Sequence, residues 1–149
     1  MYKFLSHNET ETKDFARKIA TVCKQGDVII LNGDLGSGKT KFTEGFLSLW
    51  NLQDEISSPT FTIVNEYTSN DVNIYHFDLY RLADLDEFYA IGGQEYFENG
   101  ICIVEWGNLI EDIIPENSTI INIYKDNNNL DYRNFEITTN NNAIKEILK

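Results

Sequence analysis

A mostly parallel α/β sheet with helices on both faces is the fold class this sequence predicts, and three observations predict it. Asp27-Val28-Ile29-Ile30-Leu31-Asn32 is a short apolar run rich in β-branched residues; a glycine-rich stretch and a helical pattern follow it. Strand and helix patterns alternate through the early chain, which favours parallel pairing through helical crossovers. Two late strand patterns flank the polar tip Asp126-Asn127-Asn128-Asn129, a hairpin that adds an antiparallel edge.

The elements follow in order. Residues 2–5 suit a short edge strand. Asn8 or Thr10 caps a helix running to about Cys23, with Phe15, Ala16, Ile19, Ala20 and Cys23 on one face. Gln25-Gly26 ends it, and the strand at 27–32 leads through the glycines to a helix over 41–50, with Phe42, Phe46, Leu47 and Trp50 at helical spacing. A loop rich in Ser and Asp spans 54–59. Residues 61–67 and 73–79 read as strands around a polar turn. Residues 84–97 read as helical up to a break at Gly92-Gly93, beyond which Glu95-Tyr96-Phe97 packs back. Residues 101–106 are a buried strand, 118–124 and 130–139 the hairpin, and 142–149 a last helix. No repeat or linker interrupts the pattern, so residues 1–149 are expected to form a single domain.

Composition narrows the function. The net charge of −12 would repel an accessible polyanion such as RNA over most of the surface. Any action on nucleic acid is then expected to be indirect, through a basic partner; acidity for solubility alone is the plainer reading. No stretch is long and apolar enough to span a bilayer, and the first residues lack the apolar core of a secretory signal. Cys23 and Cys102 sit in apolar surroundings and read as buried thiols, which suits a reducing, cytoplasmic location.

Residues 33–40 read GDLGSGKT, a glycine, four free positions, then Gly-Lys-Thr. Gly33, Gly36 and Gly38 permit backbone angles that turn successive N–H groups onto a phosphate. Lys39 brings a point charge to the outer phosphates, and Thr40 offers Mg²⁺ a hydroxyl at a helix N-terminus. Strand, glycine loop and helix in that order make the fold a P-loop NTPase-type three-layer sandwich, its central sheet mostly parallel with antiparallel edge strands.

Ligands of such sheets bind beyond the carboxyl ends of the strands, so polar residues there are candidates. Ser57-Ser58-Pro59-Thr60 can contact a γ-phosphate or Mg²⁺, or be an ordinary turn. Asp78 near the end of one strand can hold Mg²⁺ through water or orient an attacking water. Nearby His76 reads as a base or as a structural residue, and Arg81 as a phosphate or partner contact or a surface ion pair. Ile101-Cys102-Ile103-Val104-Glu105 is an apolar run ending in a carboxylate, the pattern of a Walker B strand, with Glu105 facing the metal. Trp106 packs either near the nucleotide or in the core.

Three rival classes fit less well. A small P-loop kinase usually needs several arginines, and the chain has only Arg17, Arg81 and Arg133. In a GTPase, Ala90 would have to be a metal-linked Asp, and the guanine-reading motif is missing. A nucleotide-dependent binding module with negligible turnover is not separated by sequence from a weak ATPase.

GDLGSGKT, SSPTFTIVNEY, YHFDLYRL and VEWG, in this order, resemble the TsaE family over roughly residues 5–110. The resemblance implies a cytoplasmic bacterial ATPase using ATP/ADP and Mg²⁺. It would act with TsaB and TsaD in making N6-threonylcarbamoyladenosine at position 37 of tRNAs reading codons that begin with A, and touch tRNA only indirectly. TsaD would carry out the transfer, and ATP hydrolysis would drive or reset the complex. The resemblance also marks Glu9, Thr10 and Arg133 as nucleotide-site positions, beside the loop itself: Gly33, Asp34, Leu35, Gly36, Ser37, Gly38, Lys39, Thr40 and Lys41. With strand-end placement it assigns Thr40, Glu105 and Asp78 to the metal, Lys39, Asp78, Glu105 and Thr60 to catalysis, and Trp106 to the nucleotide. Thr60 would report the γ-phosphate to its loop. Weak activity alone, stimulated by partners, is the expectation.

Overall fold

The computed structural model describes residues 1–56 and 63–149. Among these residues seven strands form one sheet: β1 (Tyr2–Ser6), β2 (Val28–Gly33), β3 (Val64–Thr68), β4 (Asn73–Asp78), β5 (Ile101–Glu105), β6 (Thr119–Lys125) and β7 (Arg133–Thr139). Their order is β1-β7-β6-β2-β5-β4-β3. The four central strands, β6, β2, β5 and β4, run parallel. β7 pairs antiparallel with both β6 and β1, and β3 pairs antiparallel with β4. The sheet is mixed, with a parallel centre and antiparallel edges.

Side-chain alternation divides the core in two. Ile29 and Leu31 of β2, Ile101 and Ile103 of β5, and Ile121 and Ile123 of β6 face one layer. That layer holds α1 (Glu9–Ala20), through Phe15, Ala16 and Ile19, and α2 (Lys39–Ser48), through Phe42, Phe46 and Leu47. Val28, Ile30, Tyr75, Phe77, Cys102 and Val104 face the other layer, where Phe88 of α3 (Leu85–Ala90) and Phe97 of α4 (Gly93–Asn99) cover them. A final helix, α5 (Asn142–Ile147), buries Ile144 in the first layer.

Several boundaries move from the sequence expectation. Asn8, not Thr10, caps α1: its carboxamide oxygen accepts the Glu11 N–H at 2.9 Å. α1 stops at Ala20, short of Cys23, and α2 begins two residues early, at Lys39, because the loop delivers the chain directly into helical geometry. The chain breaks at Gly92 and packs back as a helix over residues 93–99, in which Tyr96 and Phe97 reach apolar partners. Cys102 is buried and Cys23 partly buried, both free, and burial raises both thiols, Cys102 to about 12. No helix among the described residues is long and apolar enough to cross a membrane.

Candidate functional site

The four parallel strands end at one edge, and antiparallel β7 begins there, with Arg133 paired to Lys125 of β6. On the α1–α2 face each apolar stripe turns polar at that edge. Ile101 and Ile103 give way to Glu105, Ile74 to His76 and Asp78, and Ile121 and Ile123 to Lys125. The pleat that buries one half of each strand thus aims its last polar side chain at the same ledge.

The loop between β2 and α2 sits on this ledge. Gly36 and Gly38 have φ of 80° and 112°, angles that side-chain-bearing residues rarely adopt. Gly38 caps α2 without a side-chain bond, so the first-turn N–H groups have no capping acceptor. A Cβ on Gly33 would lie 2.3 Å from Ser37 Oγ, and that hydroxyl is buried without a hydrogen-bond partner among the described residues. Two left-handed glycines, a helix start without a side-chain cap, no room for a side chain at Gly33 and an orphaned buried hydroxyl fit an oxygen-rich anion such as a phosphate.

Lys39 and Glu105 meet beneath the loop. Lys39 Nζ donates to the Gly33 carbonyl at 2.7 Å, stands 3.6 Å from Glu105 Oε1 and lies 4.9 Å from the centre of the Trp106 ring. The other Glu105 oxygen, Oε2, is 2.5 Å from His76 Nε2. Burial opposes ionisation of Glu105, but the His76 hydrogen bond and the His76 and Lys39 charges outweigh it, holding the carboxyl below its usual range. An ionised carboxylate beside a lysine can share a cation with bound phosphates. Among the described residues no three His, Cys, Asp or Glu side chains converge on one metal site, so a cation here would need phosphate oxygens or water as further ligands.

The remaining predicted positions divide. Asp78 is paired with Glu105 across β4 and β5, yet its exposed carboxylate turns to the Tyr80 N–H at 3.1 Å and caps a short 3₁₀ turn. Thr40 is exposed in the first turn of α2, and Leu35 at the loop tip is 92% exposed. Trp106 is at the mouth and not in the core: it is 42% exposed, its ring lies tilted 5.0 Å from that of Tyr80, and it holds a left-handed φ of 60°. Such a backbone angle costs a bulky residue on the order of 1 kcal/mol or more. Lys41 directs its ammonium to Glu44 along α2. Glu9 and Thr10 are exposed in the first turn of α1, which follows Ser6, the register partner of Arg133. Arg133 faces the loop from outside: Nε donates to the Ser37 carbonyl at 2.8 Å, and Nη1 to the Leu130 and Tyr132 carbonyls. Holding the Ser37 carbonyl outward keeps the Gly38 N–H, which points the opposite way within that planar trans peptide, turned in. Thr60 lies outside the described residues, as does the rest of the 57–62 segment.

Sequence reasoning missed Lys125 and the Asn32–Asn122 pair. Lys125 Nζ would stand 3.3 Å from a Cβ on Gly36, and Asn32 Nδ2 donates to Asn122 Oδ1 at 3.1 Å. Both border a cleft of about 590 Å³ that also touches Lys39, Trp106, Asn108 and Asn127. A signal for Lys125 existed: the alternation Ile121, Ile123, Lys125 ends as Ile101, Ile103, Glu105 does.

The chain is similar to known proteins over most of its length. The family model "Threonylcarbamoyl adenosine biosynthesis protein TsaE" matches residues 6–135. The tRNA threonylcarbamoyladenosine biosynthesis protein TsaE of Bacillus subtilis is 44% identical over 115 residues, 76% of this chain and 72% of that protein. Its counterpart in Haemophilus influenzae is 40% identical over 141 residues, 90% of this chain and 87% of the relative. The crystal structure of Bacillus subtilis YdiB superposes with a TM-score of 0.73 at 36% identity, covering 97% of this chain and 89% of that one.

Proposed function

The chain belongs to the TsaE family of tRNA threonylcarbamoyladenosine biosynthesis, and from that premise we propose that it is a Mg²⁺-dependent ATPase acting with TsaB and TsaD. The observation that carries the reading is the pairing of Lys39 with Glu105, 3.6 Å apart beneath a loop that fits a phosphate. Lys39 neutralises the outer phosphates of ATP, and the N–H groups of the loop and of the first turn of α2 bind their oxygens. Thr40 and Glu105 would hold Mg²⁺, and Asp78 would position the attacking water or the metal's outer shell on leaving the Tyr80 N–H. When bound, Mg²⁺ supplies positive charge against the oxygens of the transferring phosphate. Arg133 holds the loop in shape. Thr60 reports the γ-phosphate to the loop 57–61, which then sets partner affinity. Hydrolysis drives or resets the TsaB–TsaD cycle in the cytoplasm, and tRNA is met through those partners, in keeping with the net charge of −12.

One observation favours weak turnover by the isolated chain. The Arg133 guanidinium is engaged by backbone carbonyls, so an arginine finger would have to come from Arg81 or from a partner. Such a finger can raise turnover by about 10³–10⁵. A nucleotide-dependent binding module is the second reading on the same ground. Steady-state hydrolysis of ATP and of GTP, with and without TsaB–TsaD, separates the two. Slow ATP turnover that partners accelerate supports the proposal. Rapid turnover indifferent to partners, or a preference for GTP, overturns it, and no turnover under any condition supports the binding module.

A further inference from the structure

His76 has no part in the scheme above, yet its imidazole makes the shortest polar contact in the site. Its side chain is 13% exposed and that of Glu105 is 14% exposed, so the pair is largely shut away from water. His76 occupies the α1–α2 face of β4, one pleat beyond fully buried Ile74. Its backbone is in register with Ile103, so the ring leans toward the strand ends to meet the carboxylate two residues further along β5. A glutamate side chain has three rotatable bonds and no single resting place for its oxygens. Here one oxygen is fixed on Nε2, and the other, Oε1, is left facing Lys39 and the loop.

We propose that His76 is a positioning residue for Mg²⁺: by holding Oε2 of Glu105 it presents Oε1 alone, in one orientation, to the cation at the phosphate loop. The inference rests on the nucleotide-site reading and deepens it. It assigns His76 no proton transfer and no contact with nucleotide. Partners that orient a metal-binding carboxylate typically change metal affinity by about 10–100-fold when removed.

The test is a Mg²⁺ titration of ADP binding, followed by calorimetry on the full chain, for wild type, His76→Leu and His76→Gln. ADP affinity in EDTA and the melting temperature are measured on the same samples. The expected result is a Mg²⁺ half-saturation at least about tenfold higher for His76→Leu, with ADP affinity in EDTA unchanged. His76→Gln, which keeps an N–H donor, is expected to recover part of the loss. Should His76→Leu fail to fold, His76→Gln carries the test, with an intermediate rise expected. A Mg²⁺ dependence equal to wild type in the folded variants overturns the inference, as does a loss of ADP affinity in EDTA that matches the loss with Mg²⁺. Wild type that binds no ADP at any Mg²⁺ concentration overturns the nucleotide-site reading itself, which distinguishes the two failures.

Discussion

The two ends of the parallel strands follow opposite rules. Along most of their length Ile29, Ile101, Ile103, Ile74 and Ile121 are fully buried, and α1 covers them with Phe15 and Ile19 and α2 with Phe42, Phe46 and Leu47. At the carboxyl ends the same faces carry a buried carboxylate, a lysine against it and a loop with two left-handed glycines; Trp106, next along from Glu105, is left-handed too. The apolar half stabilises the fold by burial, at about 25 cal/mol per Å². The polar ledge holds a partly desolvated ion pair and a helix start without a capping side chain, an arrangement suited to an anion. One strand therefore serves both ends, and the rigid half supplies the precision that the ledge requires.

Substitutions can break this contrast. The largest effect is expected in the apolar half. Phe46→Ala removes a fully buried ring packed on Trp50 at 5.7 Å and should destabilise the chain by about 3–5 kcal/mol. Chemical denaturation measures it, and the fraction still folded should bind nucleotide normally. Lys39→Ala should do the reverse: turnover with partners falls by at least about 100-fold, on the scale of losing one preorganised charge contact, while the melting temperature barely changes. A large drop in melting temperature would make Lys39 a structural member of the core. A smaller effect is expected for Arg133→Lys, which cannot reproduce the fork onto the Ser37, Leu130 and Tyr132 carbonyls. Nucleotide affinity should weaken about tenfold, equivalent to a charged hydrogen bond of about 1.4 kcal/mol; unaltered affinity would show that the loop keeps its shape unaided.

The smallest effect is a pH dependence. Glu105 is held below its usual range in the fold, so its contribution to stability is present above the unfolded glutamate value of about 4.3. That contribution is lost as pH falls below this value and through the lower folded one. Denaturation from pH 6 downward should show wild type losing stability relative to Glu105→Gln on the acid side. Parallel curves would mean that the carboxylate is not held ionised by its neighbours.

The glycine pattern of residues 33–40 and the apolar run ahead of it made the loop, its strand and its helix legible. The apolar run of residues 101–105, ending in a carboxylate, marked Glu105 as a strand-end residue facing the site. The hairpin and the antiparallel edges were legible for the same reason, since period-two patterns and polar tips are local signals. The partnerships were not. His76 meets Glu105 across 29 residues, and Arg133 meets Ser37 across 96, contacts that depend on strand order and register. Trp106 could be read as core or as site because its apolar ring suits either place; the left-handed turn after β5 decides, and no glycine or asparagine at that position announces such a turn. Asp78 shows the converse: the sequence marks it as a strand-end carboxylate, but not that the Tyr80 N–H holds it as a cap.

The most direct test of the division between fold and ledge is calorimetric titration of ADP with excess Mg²⁺ into the chain and into Lys39→Ala, with melting curves from the same samples. Saturable binding by wild type, none by Lys39→Ala and closely matching ligand-free melting temperatures are the expected result. Equal binding by both chains, or a Lys39→Ala chain that loses binding only because it has unfolded, would contradict it.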